Sequence, residues 1–201
     1  MSKDAFAYLL PGETPIDISE LLVSNISTRA DLSRIEAKNI RKVLVKYFGG
    51  DFIEDIAPFD FAWIQELHRE MYGEVWRWAG NFRLRDLNIG GPWQHINEKL
   101  FNLIEDLKCW ERSGVDIVEQ AAGLHHAAVQ IHPFPNGNGR WARTLTNIWL
   151  VLHRAPTVQW PEHLIGDVSP IRDEYLVALK AADNGDIAPL IAMHRFYLSA
   201  D

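Results

Sequence analysis

The 201-residue chain has one cysteine, Cys109, so no internal disulfide can staple it. It has no apolar run of about 18 residues, the length a membrane-crossing helix needs, and no signal-peptide core near its first residue. These absences predict a reducing, cytoplasmic setting with no membrane partner. Positive charge is scarce as well, since 20 Lys and Arg against 27 Asp and Glu give a formal net charge of −7. A general nucleic-acid binder presents a basic face, so the balance argues against direct nucleic-acid binding. A local basic pocket for a small anion stays open. Repeats and low-complexity tracts are missing too, so nothing divides the chain into modules. Apolar side chains are plentiful at 47%, with eight tryptophans, enough for one substantial core.

The organisation reads as an extended arm over residues 1–27, with Pro11, Gly12 and Pro15, followed by a single domain over 28–201. Thr28 with Asp31 offers a capped helix start, and Gly49 and Gly50 stop the run. A second helix fits "FDFAWIQELHREMYGEVWRW", with Asp60 as its cap. Around "GNFRLRDLNIGGPWQHI" the pattern shifts to an alternation that predicts a short β-hairpin, weakened by Pro92. Helical spacing then returns over 98–112, 116–131, 138–153, 171–182 and 187–198. The predicted class is all-α, with one small hairpin.

The chemistry concentrates in "HPFPNGNGRWAR", His132 to Arg143. Pro133 ends the preceding helix, and Gly137 and Gly139 can take positive φ. Such a loop running into a helix gathers backbone N–H groups beside a helix N-terminus, which favours an anion. Arg140 and Arg143 share a helix face and suit a polyphosphate. Asn138 offers a further donor to a phosphate oxygen, and Phe134 points inward as an anchor. His132, with an ordinary pKa of about 6.5, stands where it could take a proton from an attacking hydroxyl. Each residue alone is more simply a turn or packing residue. Their order together reads as a phosphate-transfer site with a histidine base.

On these residues the chain resembles the Fic/Doc family, whose signature runs His-x-Phe-x-(Asp/Glu)-(Gly/Ala)-Asn-(Gly/Lys)-Arg-x-x-Arg. The likeness extends upstream through "WRWAGNFRLRDLNIGG" and downstream to "DNGDIAPLIAMH", roughly residues 28–198, and is nearest the branch called mobile mystery protein B. The resemblance implies a Fic-like helical domain with a β-hairpin flap. It also implies transfer of AMP from ATP, with Mg²⁺, onto a hydroxyl side chain of a target protein. His132 would be the general base. Gly137, Asn138 and Gly139 would form the anion nest, and Arg140 and Arg143 would hold the β- and γ-phosphates. Asp86, Leu87, Asn88, Ile89, Gly90 and Gly91 would form the flap that docks the target. A helix-turn-helix or antitoxin-like partner is a further implication of the branch.

Two positions depart from the pattern. Asn136 stands where the family carries an acidic Mg²⁺ ligand, and an amide oxygen brings no charge to hold a hard cation. Glu36 in "LSRIEAKN" is a degenerate match to the family's inhibitory (Ser/Thr)-x-x-x-Glu-(Gly/Asn), whose glutamate pairs with the second motif arginine. Competing readings are kinase-like or other phosphate-linked transfer, and a catalytically weakened nucleotide- or peptide-binding module. A metal hydrolase built on His125, His126 and His132 is disfavoured, because adjacent helical residues point about 100° apart. His125 or His126 reads instead as helix packing, and Cys109 as buried.

Overall fold

The computed structural model describes residues 12–49 and 53–198. Residues 1–11 of the arm, and Gly50, lie outside them. Helix α1 runs Arg29–Phe48, opened by the expected capping box: Thr28 accepts from the Asp31 amide, and Asp31 accepts from the Thr28 amide. A short α2, Ile53–Ile56, follows, then α3, Phe61–Tyr72, capped by Asp60. The later helices are α4 (Ile96–Arg112), α5 (Ile117–Ile131), α6 (Asn138–Leu152), α7 (Glu162–Ile165), α8 (Pro170–Asp183) and α9 (Ala188–Phe196).

Helix α5 is the central piece, because it is apolar on two faces. Leu124, Ala128 and Ile131 join the main core with α1, α3, α4 and α6, while Ala121 and Ala122 join a second core with α8 and α9. Helices α5 and α6 pack together on either side of the sequence 132–137, so the motif loop is held at both ends by buried helices. The described part of the arm, residues 12–27, lies against this body. The Leu22 amide donates to Val75 and the Arg77 amide to Glu20, around an isolated antiparallel bridge between Leu21 and Trp76.

Three expectations change. Helix α3 does not run on through Trp78 but stops at Tyr72, where the Gly73 amide closes on the Arg69 carbonyl at 2.7 Å. The β-hairpin is not formed: among the described residues, extended pairing is confined to isolated bridges, and 81–92 is a series of bends. Cys109 is exposed on α4 instead of buried. Among the described residues, no helix is long and apolar enough to cross a membrane.

Candidate active site

The loop after α5 is pinned by its own side chains. His132 closes the helix in the left-handed region, at φ 50° and ψ 59°. Phe134 is fully buried, stacked on His68 with centroids 3.6 Å apart and met edge-on by Trp141 at 5.1 Å. Asn138 is buried as well, and its amide grips Phe134 from both sides: Oδ1 accepts from the Phe134 amide and Nδ2 donates to the Phe134 carbonyl, each at 2.9 Å. The side chain expected to reach a phosphate is therefore spent on fixing the loop. Gly137 has φ 78°, and a Cβ there would stand 2.6 Å from the Tyr72 ring.

Above this loop opens a cleft of about 820 Å³, whose lining includes His132, Gly137, Asn138, Gly139, Arg140 and Arg143. No side chain caps the N-terminus of α6, so its first-turn amides face the cleft floor beside both arginines. His132 is 7% exposed, and neither ring nitrogen meets a hydrogen-bond partner among the described residues. Burial, with the Arg83 guanidinium adding to it, pushes its pKa down to about 4. The Val129 carbonyl opposes this in part, although it falls short of hydrogen-bond geometry. At neutral pH the imidazole is therefore the free base.

Both motif arginines are occupied. Arg140 Nη2 lies 2.7 Å from Glu36, which also accepts from the Trp76 indole at 2.6 Å. Arg143 holds Glu162 through two parallel bonds, of 2.7 Å from Nε and 2.5 Å from Nη2. Glu36 thus meets the first arginine, not the second as its resemblance implied. Its place on the second is taken by Glu162, on a four-residue helix with no signal in the sequence. Asn136 turns its Oδ1 onto the Gly137 amide at 2.7 Å. No group of three or more His, Cys, Asp or Glu fit for a metal occurs among the described residues. His125 is packed inside, between His194 and Tyr175, as a helix-packing residue.

Sequence reasoning also missed Arg83. It is 3% exposed, and its Nε donates to the His132 carbonyl at 2.7 Å while Nη1 and Nη2 reach the carbonyls of Arg85 and Gly91. One guanidinium thus ties the flap segment to the backbone of His132. Gly90, at φ 90°, lies so close that a Cβ would stand 2.7 Å from His132 Cβ. Asp86 accepts from the Trp93 amide, and Asn88 donates to the Glu13 carbonyl of the arm.

Residues 58–150, which contain α3, the flap, the loop and most of α6, match the profile of the Fic/DOC family. The chain belongs to the Fic/DOC family. Relatives include "Protein adenylyltransferase Fic" of Drosophila virilis, 34% identical over 152 residues, covering 73% of this chain and 30% of the relative. "Protein adenylyltransferase fic-1" of Caenorhabditis briggsae is 31% identical over 134 residues, covering 64% of this chain and 25% of the relative. The Fic/DOC chain thus spans less than a third of the length of either. A solved Fic-1 fragment from Caenorhabditis elegans superimposes with a TM-score of 0.67 at 25% identity, over 88% of this chain and 51% of that one. BepC from Bartonella tribocorum, solved with bound AMPPNP, shares the fold at TM-score 0.64 and 19% identity, over 88% of this chain and 90% of that one.

Proposed function

We propose that this chain is a protein adenylyltransferase, moving AMP from ATP onto a hydroxyl side chain of a target protein. The observation that carries the reading is the buried, neutral His132, without a hydrogen-bond partner among the described residues, facing the same cleft as Arg140, Arg143 and the open N-terminus of α6. The target hydroxyl oxygen attacks the α-phosphorus as His132 takes its proton. The bond from the α-phosphorus to the bridging oxygen breaks, and pyrophosphate leaves on the two arginines. The negative triphosphate beside His132 favours its protonated form, which strengthens a base that burial alone makes weak. Mg²⁺ is proposed to arrive with the ATP phosphates, since Asn136 supplies neither a charge nor a free amide oxygen.

The flap residues Asp86 to Gly91 are proposed to present an unladdered backbone edge to an extended target segment. Gly90 sets the distance between that edge and the base. Gly90→Ala is expected to lower transfer at least about tenfold and unfolding stability by about 1–3 kcal/mol, because the added Cβ meets His132 and the left-handed φ is strained. Initial rates and denaturant melts of the two proteins check this.

Glu36 and Glu162 are proposed to compete with ATP for its arginines. Glu36→Gln is expected to tighten ATP binding about tenfold, and the half-exposed Glu162→Gln about threefold, both read by calorimetry. Unchanged affinity in both variants excludes the competition.

The activity itself is tested with ATP labelled separately at the α- and γ-phosphates, incubated with cell lysate. Retention of the α label alone on protein is expected. Retention of the γ label would instead establish a kinase, the reading that the motif alone leaves open.

A further inference from the structure

We propose that His68 and Tyr72, one turn apart on α3, are positioning residues that aim the amides of the motif loop at the nucleotide phosphates. The inference rests on the phosphate role proposed above for that loop. The two side chains lie on one face of α3 and meet two successive carbonyls of the loop: His68 Nε2 is 3.1 Å from the Asn136 oxygen, and the Tyr72 hydroxyl 3.3 Å from that of Gly137.

The Tyr72 hydroxyl donates because a carbonyl can only accept, and the direction of the His68 bond is settled by its other neighbour. The Gly80 amide donates to His68 Nδ1 at 3.0 Å, so the neutral ring carries its proton on Nε2 and donates it to Asn136. Burial holds this ring neutral, with its pKa near 3, so the donor and acceptor roles persist throughout the neutral range.

The geometric consequence follows from peptide planarity. In a trans peptide the C=O and N–H point in opposite directions. Drawing the Asn136 carbonyl onto α3 turns the Gly137 N–H away from it, toward the cleft. The Gly137 carbonyl accepts the first α6 bond from the Trp141 amide at 3.0 Å, and Tyr72 steadies that orientation as its second donor, leaving the Asn138 N–H on the cleft side. An oxygen already marks the first of these directions: Asn136 Oδ1 accepts from the Gly137 amide at 2.7 Å.

The fit is close on every side. The loop rests directly on the Tyr72 ring, which leaves no room for a Cβ at position 137. The His68 ring is parallel to Phe134 within 8°. Tyr72 also carries the Arg140 guanidinium, 5.3 Å from its ring centroid, so one side chain sets both the amides and the first arginine.

The test uses inorganic pyrophosphate as the probe, titrated by calorimetry into the full chain and its variants, with melting temperatures measured alongside. Tyr72→Phe removes one hydroxyl and is expected to weaken pyrophosphate about tenfold with little change in melting temperature. His68→Leu is expected to do the same, whereas His68→Gln, which again offers one N–H and one acceptor, restores binding to within about threefold. Arg140→Ala is the reference for the phosphate site. Wild-type affinity in Tyr72→Phe and His68→Leu, with Arg140→Ala weakened, overturns the positioning role alone. Wild-type affinity in Arg140→Ala as well overturns the phosphate reading beneath it. Should His68→Leu fail to fold, Tyr72→Phe decides by itself.

Discussion

His132→Ala is expected to lower AMP transfer by about two to four orders of magnitude while ATP binding changes less than about threefold. The reason lies in what His132 does and does not touch. Its ring makes no hydrogen bond within the described residues, so removing it breaks no network. The arginines and the N-terminus of α6 stay in place, because Asn138, Phe134 and Tyr72 hold the loop without it. The phosphates therefore still bind, and the lost step is removal of the hydroxyl proton. Single-turnover rates with α-labelled ATP, beside calorimetric ATP affinity, measure the two quantities separately. A variant that keeps its rate would assign the base elsewhere, and one that loses ATP binding would make His132 a ligand of the nucleotide.

Acid should begin to destabilise this protein above the carboxylate range. His68, His132 and His194 have folded pKa values of about 3, 4 and 4, each lowered chiefly by burial, and His125 is lowered by the same cause. In the unfolded chain each returns to about 6.5. Between those values the unfolded state binds more protons, so stability is full above about pH 6.5 and falls as pH drops toward the folded pKa values. At pH 5 each of the three numbered groups costs about 2 kcal/mol, together about 6, against the 5–15 kcal/mol that domains possess. Denaturant melts at pH 7 and pH 5 should differ by roughly that amount. A difference under about 2 kcal/mol would mean that these rings are solvated in the folded protein.

What the sequence disclosed, and what it hid, follows from how far apart the cooperating residues lie. The loop was readable because a helix-ending Pro133, a left-handed Gly137 and two arginines act within twelve consecutive residues, whereas Gly139, expected to share the positive φ, lies inside α6 without it. Thr28 and Asp60 marked helix starts for the same local reason. Glu162, Arg83, His68 and Tyr72 were not readable as site residues, since each acts on the loop from another element. The missing hairpin has a physical cause of this kind. Alternation of Phe82 and Leu84 suggests a strand, but Phe82 packs on Phe61 and Phe134, and the Arg83 side chain satisfies carbonyls that a ladder would have paired. Asn138 was recognised as a site residue, yet its amide is consumed in holding Phe134. Glu36 was found by a degenerate motif, and only the fold revealed which arginine it meets.

On the proposed phosphate role, the two carboxylates on the motif arginines would also decide which anions enter. Each is tethered at a high effective concentration, so a simple monoanion must give up as much pairing as it gains. A triphosphate would displace both at once and be held by both arginines together, with one loss of translational freedom shared across the two exchanges. The cleft is therefore expected to act as a charge-counting filter: chloride, acetate or a lone phosphate would bind weakly, and a chain of phosphates would open it.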